Sequence, residues 1–421
     1  MWPTLAKFLA ICLSLSSIAT LNAKQDADHT KAGFRKTGKV MGYYPSYHHL
    51  AGSPHNINFS LYTDVLFFVV VPQLDFSFKF EKLEYSVGRR LAKEFISEAK
   101  KHRVNTIMSF GGWTGSLHFS KLASDPNRKR FARALVDFAK GFGFEGLDLD
   151  WEYPNRAGIG CNSFSPDDTK NFGLLIKEIR ALWPKAQLTA ALGLTGLIGA
   201  SGQPATSSEM TDVVGNLDFV NLMAYDVYGA WAPTTGPIGP LKSTCADPSF
   251  AFSVETGYDT MLKQGFKASQ IILGIPAYGK RLELVSPTLK PKIVNGFTTY
   301  YYQNHTKVTP PGGPLDDRPG KDVCNNTQTW TGSWLTTQII AKGWLSRDQK
   351  KGGNGFTRYY DDCSGLPFLT NGKYFIAYED IFSSVKKAEF AKRNRMAGVY
   401  FFDTLGPPDA TVKATQKAIH G

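Results

Sequence analysis

Eight short apolar runs, rich in β-branched and aromatic residues, recur along this chain at wide intervals: 40–44, 65–71, 106–110, 144–151, 188–194, 219–225, 271–278 and 399–403. Near-continuous hydrophobic strands belong to parallel sheets that are covered on both faces. The segments between them read as amphipathic helices. Asp125-Pro126 offers a cap and a first-turn proline ahead of Phe131, Leu135 and Phe138 on one face. Ser165-Pro166-Asp167-Asp168 does the same ahead of Leu175, Ile179 and Leu182, and Pro184 stops the helix. Eight strand–helix units predict an α/β fold, a (β/α)8 TIM barrel. The 421 residues would hold one such barrel with an insertion, or two to three average domains.

One interval is too long for a single helix and its loops: about 120 residues separate the seventh run from the eighth. The excess is rich in Tyr, Gly and Thr and predicts a small α+β insertion over 281–374, on the face where barrel active sites lie. At the other end, residues 1–23 read as a secretory signal. Lys7 is their one charge, the apolar stretch from Phe8 to Leu13 follows, and Leu21-Asn22-Ala23 ends in a small residue. That stretch is too short for a membrane span. The barrel is then expected over 24–421, in a secreted protein at the cell wall or beyond it, with no membrane association.

Forty-eight Lys+Arg against 36 Asp+Glu give a net charge of +12. The basic residues sit in short helical runs without interleaved aromatics, which excludes a nucleic-acid partner and leaves a solvated surface. Cys12 leaves with the signal, so Cys161, Cys245, Cys324 and Cys363 remain, an even number with three possible pairings in an oxidising compartment. Neither CxxC nor Cys/His ligand spacing occurs, so no metal and no cofactor are expected. Asn58, Asn304 and Asn325 each open a glycosylation sequon. A monomer is expected.

Gly141-Phe142-Gly143-Phe144-Glu145-Gly146 matches GxGxxG, but it follows a helix and opens a strand, the reverse of a dinucleotide site. It reads as a helix C-cap and turn. What it leads into carries the chemistry: Leu147-Asp148-Leu149-Asp150-Trp151-Glu152. Alternate side chains of a strand share a face. Asp148, Asp150 and Glu152 therefore point together into the barrel mouth, while Leu147, Leu149 and Trp151 pack against helices. Three acids roughly 6–7 Å apart along a strand repel one another. Such crowding raises at least one pKa and prepares a general acid. A Ca²⁺ cluster would instead draw on loop ligands and backbone carbonyls. A solvated strand end would not lie between Leu and Trp. Ser109-Phe110-Gly111-Gly112-Trp113 ends the third run, with glycines that let a substrate approach the backbone. Met223-Ala224-Tyr225-Asp226 ends the sixth, and Tyr43, Tyr278 and Phe402 close the ring. Aromatic faces beside carboxylates suit sugar rings.

Ser-x-Gly-Gly at 109–112, Asp-x-Asp-x-Glu at 148–152 and Met-x-Tyr-Asp at 223–226 resemble the family 18 glycoside hydrolases, the chitinases. Gly42-Tyr43-Tyr44 and Gly274-Ile275-Pro276-Ala277-Tyr278-Gly279 match that family's first and seventh strands. Gly158-Ile159-Gly160-Cys161-Asn162 and the run from Tyr225 to Trp231 look fungal in particular. The resemblance spans 39–409. It implies substrate-assisted, retaining hydrolysis of β-1,4-linked N-acetylglucosamine, outside the usual two-carboxylate scheme. Glu152 would protonate the glycosidic oxygen while the substrate's acetamide oxygen attacks the anomeric carbon. Asp150 would hold the acetamide N–H and Asp148 share its proton. Tyr225 would donate to the acetamide oxygen. Tyr43, Ser109, Gly112, Met223, Asp226, Tyr278 and Phe402 would shape the subsite, with Trp113 and Trp231 stacking on neighbouring sugars.

The chain departs from the family pattern twice. Glu145 stands where the motif opens with Asp, out of phase with the inward face. Phe402 stands where the eighth strand supplies a Trp floor, so a smaller stacking face is expected. The expected partner is chitin or chito-oligosaccharides, cleaved by an endo-acting enzyme. An endo-β-N-acetylglucosaminidase acting on N-glycans shares the acid motif, and a chitin-binding, lectin-like protein with weak turnover is the alternative that Phe402 raises. Proximity in the proposed fold favours Cys161–Cys245 near the mouth and Cys324–Cys363 within the insertion.

Overall fold

The computed structural model describes residues 37–421, so the expected signal at 1–23 lies outside the described residues. Eight parallel strands close into a ring. In chain order they are Lys39–Pro45, Asp64–Pro72, Asn105–Gly111, Gly146–Asp150, Gln187–Gly193, Phe219–Met223, Ile271–Pro276 and Gly398–Phe402. The first pairs with both the second and the eighth, which completes the barrel. Phe78–Phe80 folds back antiparallel on the second strand as an extra hairpin.

Each strand buries Val, Ile, Leu or Phe outward against the helices, as at Val65, Phe67, Leu147, Leu149, Leu273 and Val399. The helices answer with one apolar stripe each. Tyr85–Lys101 buries Leu91, Phe95 and Ile96, and Arg128–Phe142 buries Phe131, Leu135 and Val136. Helix Asp168–Leu182 buries Leu175 and Ile179, as its spacing predicts. Three local expectations shift. Neither proline opens a helix: one helix starts at Arg128 and the other at Asp168, so Asp125-Pro126 and Ser165-Pro166 lie in the preceding turns. No α-helix follows the first strand, where three 3-10 turns at Ser46–His48, Pro54–Asn56 and Phe59–Leu61 send Phe59 and Leu61 into the core. The glycine-rich decoy behaves as read: Gly143 caps its helix at φ +93°, a backbone region in which glycine carries no Cβ penalty.

Between the seventh and eighth strands, Tyr278–Glu283, Ser333–Leu335, Thr357–Asp361, Leu366–Thr370 and Tyr374–Tyr378 form a separate antiparallel sheet with a short helix, Thr336–Ala341. The sheet takes in residues on either side of 281–374, because Tyr278–Glu283 leaves the barrel and pairs directly with Tyr374–Tyr378. Its own core is aromatic, with Tyr301, Phe368 and Phe375 in contact. Where chain returns to barrel, Lys387 on helix Ile381–Arg393 is buried against Glu379.

The disulfides correct the expected pairing. Cys161 bonds Cys324 and Cys245 bonds Cys363, with Cα separations of 5.5 and 6.0 Å. The insertion folds back over the loops that follow the fourth and sixth strands. Its two cysteines therefore each meet a barrel cysteine and not each other.

Candidate active site

The fourth strand positions the three acids. Leu147 and Leu149 are held in the outer core, and Trp151, 1% exposed, stacks on Phe119 at 5.4 Å and meets Phe172 edge-on at 5.5 Å. With those outward side chains fixed, the alternation turns Asp148 and Asp150 inward. Glu152 lies just past the strand end. Its N–H donates to Ser116 Oγ at 2.9 Å and its carbonyl accepts from Asn162 Nδ2 at 2.8 Å. Glu145, the first departure from the motif, uses its carboxylate to accept the Thr106 N–H at 3.0 Å, away from the mouth.

Strand register places Ser109, Asp148 and Thr189 side by side. Ser109 Oγ donates to Asp148 at 2.7 Å, Thr189 Oγ1 at 2.6 Å, Tyr43 Oη at 3.1 Å and Asn221 Nδ2 at 3.2 Å. Burial pushes the Asp148 carboxyl up, and these four donors pull it back. Asp150 has no such help. Burial first, then the charges of Glu152 and Asp148, drive it well above the carboxylate range, and its Oδ1 is buried without a hydrogen-bond partner. Glu152 is pushed up to about 7 by burial, with the Tyr153 hydroxyl pulling it down and the Asp226 charge adding to the rise. The three acids cannot all carry charge, so near neutral pH the cluster holds at least one proton. The inner acid is raised overall by its burial, and its four donors favour its charged form.

The sequence-predicted residues divide into an inner group and a rim. Tyr43 and Ser109 are 2% and 0% exposed, and both hydroxyls donate to Asp148. Gly111 and Gly112 have φ of +113° and +79°. A Cβ on Gly111 would stand 2.1 Å from the Asp150 carbonyl oxygen. Gly111 therefore admits the neighbouring strand, whereas a Cβ on Gly112 would meet the Phe68 ring at 3.1 Å. Tyr225, just past the sixth strand, shares a 2.9 Å hydroxyl contact with Tyr400, and its ring lies nearly parallel to Phe402 at 5.9 Å. Phe402 also meets Phe68 and Tyr43 at 5.4 and 5.7 Å, so its half-buried ring is part of one aromatic floor. Tyr278 is buried beside Tyr225 at 6.3 Å, and Met223 is half-buried at its strand end. Asp226 is exposed, with Lys280 Nζ 3.9 Å away. Trp113 and Trp231, 48% and 58% exposed, stand free on loops above the third and sixth strands.

Thr189, Asn221, Tyr400, Tyr153 and Ser116 are site residues that the sequence reading missed. The first three carried a usable signal: each is a polar or hydroxylated residue in the inward phase of an otherwise apolar strand. Tyr153 and Ser116 lie beyond strand ends and carried none.

The family model described as glycosyl hydrolases family 18 matches residues 39–405. A "chitinase-like effector" of Moniliophthora roreri is 33% identical over 318 residues, covering 75% of this chain and 77% of the relative. "Chitinase A1" of Niallia circulans is 30% identical over 329 residues, 75% of this chain and 42% of that protein. The crystal structure of a chitinase from Rhizomucor miehei superposes with a TM-score of 0.76 at 25% identity, covering 90% of this chain and 99% of that one. Closed barrel, acid strand and a family match over residues 39–405 agree, and this chain belongs to family 18 of the glycosyl hydrolases.

Proposed function

We propose that the protein is a secreted endo-acting chitinase that hydrolyses β-1,4-N-acetylglucosamine linkages by substrate-assisted, retaining catalysis. The observation that carries this reading is the gradient along one strand: Asp148 on four donors, Asp150 on none, and Glu152 raised to about 7. A general acid works best with a pKa near the working pH, and Glu152 meets that requirement. Glu152 protonates the glycosidic oxygen. The substrate's acetamide oxygen attacks the anomeric carbon, displacing the leaving sugar. Asp150, relieved of its proton toward Asp148, holds the acetamide N–H and balances the positive charge of the intermediate. Tyr225 donates to the acetamide oxygen, and Glu152, now a base, takes a proton from the water that opens the ring. Phe402 and Tyr225 floor the cleavage subsite, and the exposed Trp113 and Trp231 stack on flanking sugars.

Two disulfides suit an oxidising compartment. Asn304 and Asn325 are exposed and open to glycan attachment, whereas Asn58 is half-buried with its amide donating to Asp409 at 2.7 Å. A second reading, chitin binding with little turnover, is favoured by Phe402 and by the likeness to the chitinase-like effector of Moniliophthora roreri. Purified protein is expected to release short oligomers from chitohexaose, and Glu152→Gln to lose that activity while still binding. Tight binding without cleavage by the unmodified protein would select the second reading.

A further inference from the structure

A cavity of about 270 Å³ opens in a part of the structure that the catalytic reading leaves unused, and its walls belong wholly to the insertion. Two indoles face it. Trp334 is rigidly held: 6% exposed, it lies 4.7 Å from Trp344, and the Arg281 guanidinium sits over both rings at 5.2 and 5.5 Å. The Trp334 Nε1 is buried with no hydrogen-bond partner. Trp330, half-buried, is the second indole of the lining. Gly312, Gly313 and Pro314 also line it, and Gly313 has no room for a side chain, since a Cβ there would stand 2.2 Å from Gln338 Oε1 and 3.3 Å from the Trp334 ring. Asp316 is already engaged, with its carboxylate accepting the Gly312 and Gly332 N–H groups at 3.0 and 3.1 Å and the Thr331 hydroxyl. Arg318 and Lys342 lie exposed at the rim and bring donors only.

Two indoles, a Gly-Gly-Pro stretch and two exposed cationic donors in one cavity match a pyranose ring. Its C–H face stacks on an indole, while hydroxyl and acetamide oxygens accept hydrogen bonds. The loop that carries Asp316 and Arg318 is tied to the barrel by the Lys82–Asp317 pair at 2.9 Å and, further on, by Cys161–Cys324. A site fixed in this way loses little freedom on binding. We propose that this cavity is a second, non-catalytic carbohydrate site that takes an N-acetylglucosamine unit of polymeric chitin and keeps the enzyme on its insoluble substrate. The inference rests on chitin as the substrate of the cleft.

The test is adsorption of Glu152→Gln protein to insoluble chitin, with and without Trp330→Ala, beside kcat/KM of Trp330→Ala on soluble chitotetraose. Loss of one stacking face is expected to weaken adsorption about tenfold, while soluble turnover stays within about twofold. Trp330→Phe, which keeps a ring, is expected to restore most of the adsorption and guards against a folding defect. Unchanged adsorption would overturn the proposal, and so would an equal fall in soluble turnover, because the effect would then belong to the cleft. Adsorption that vanishes in 1 M salt would also overturn it, by exposing an anion patch formed by Arg318 and Lys342. Absence of soluble turnover in the unmodified protein strikes the catalytic reading instead and leaves the adsorption arm intact.

Discussion

Replacing Tyr153 by Phe tests the origin of the acid's pKa. Burial raises the Glu152 carboxyl to about 7, and the Tyr153 hydroxyl is the main force pulling it down. A hydrogen bond to a charged group contributes roughly 1.5–3 kcal/mol, less where water enters the site. A loss of about 1.4 kcal/mol corresponds to one pK unit, which moves Glu152 from about 7 to about 8. Phe preserves the ring that faces Arg156 at 5.8 Å, so the change removes little beyond the hydroxyl. The sign follows from the role: Glu152 must be protonated to act, so activity falls as pH rises through its pKa. At pH 8 the protonated fraction would rise from about one tenth to about one half, and kcat/KM relative to its plateau near pH 6 would rise roughly fivefold. The assay is the pH profile of kcat/KM on soluble chitotetraose. A basic limb that stays in place, or moves to lower pH, would refute the assignment of Glu152 as the acid tuned by Tyr153.

Glu152→Gln is expected to lower turnover by at least about a thousandfold. Because the folded-state pKa lies above the ordinary glutamate value of 4.5, the carboxyl weakens the fold only as pH climbs past 4.5 toward 7. The variant should therefore melt above the unmodified protein beyond pH 7, by an amount equivalent to roughly 3 kcal/mol, and together with it below pH 4.5. Lys387→Met strands Glu379, itself pushed up to about 7 by burial, and should cost about 3 kcal/mol in urea unfolding, with part recovered on adding Glu379→Gln. Phe402→Trp enlarges the aromatic floor by some tens of Å², worth about 1 kcal/mol or roughly fivefold in chitotetraose affinity, measured by calorimetry in a Glu152→Gln background. No gain would mean that the ring at 402 does not touch sugar.

Local pattern carried much of the site. Asp148, Asp150 and Glu152 could be assigned to one face because a strand alternates with period 2 and Leu147, Leu149 and Trp151 occupy the other. Partners of those acids were harder to see. Asn221 lies far along the chain from Asp148, and nothing near either residue announces the contact. Tyr43 and Ser109 are legible as site residues, but not that both hydroxyls donate to Asp148, since a sequence says which strand end a side chain occupies and not how deep it lies. Gly111 shows the same limit: its presence at a strand end was legible, but its reason, the Asp150 carbonyl 2.1 Å from a would-be Cβ, is a contact between strands.

The sequence by itself determined the barrel, the insertion and the acid strand, because each rests on periodicity and spacing within a few tens of residues. Only the tertiary structure decided the disulfide partners, 163 and 118 residues apart, since which cysteines meet depends on how the insertion folds back over the barrel loops. It also decided the charge order of the acids. That order comes from four donors on four other strands and one from the next residue along the chain, brought together only when the ring of strands closes.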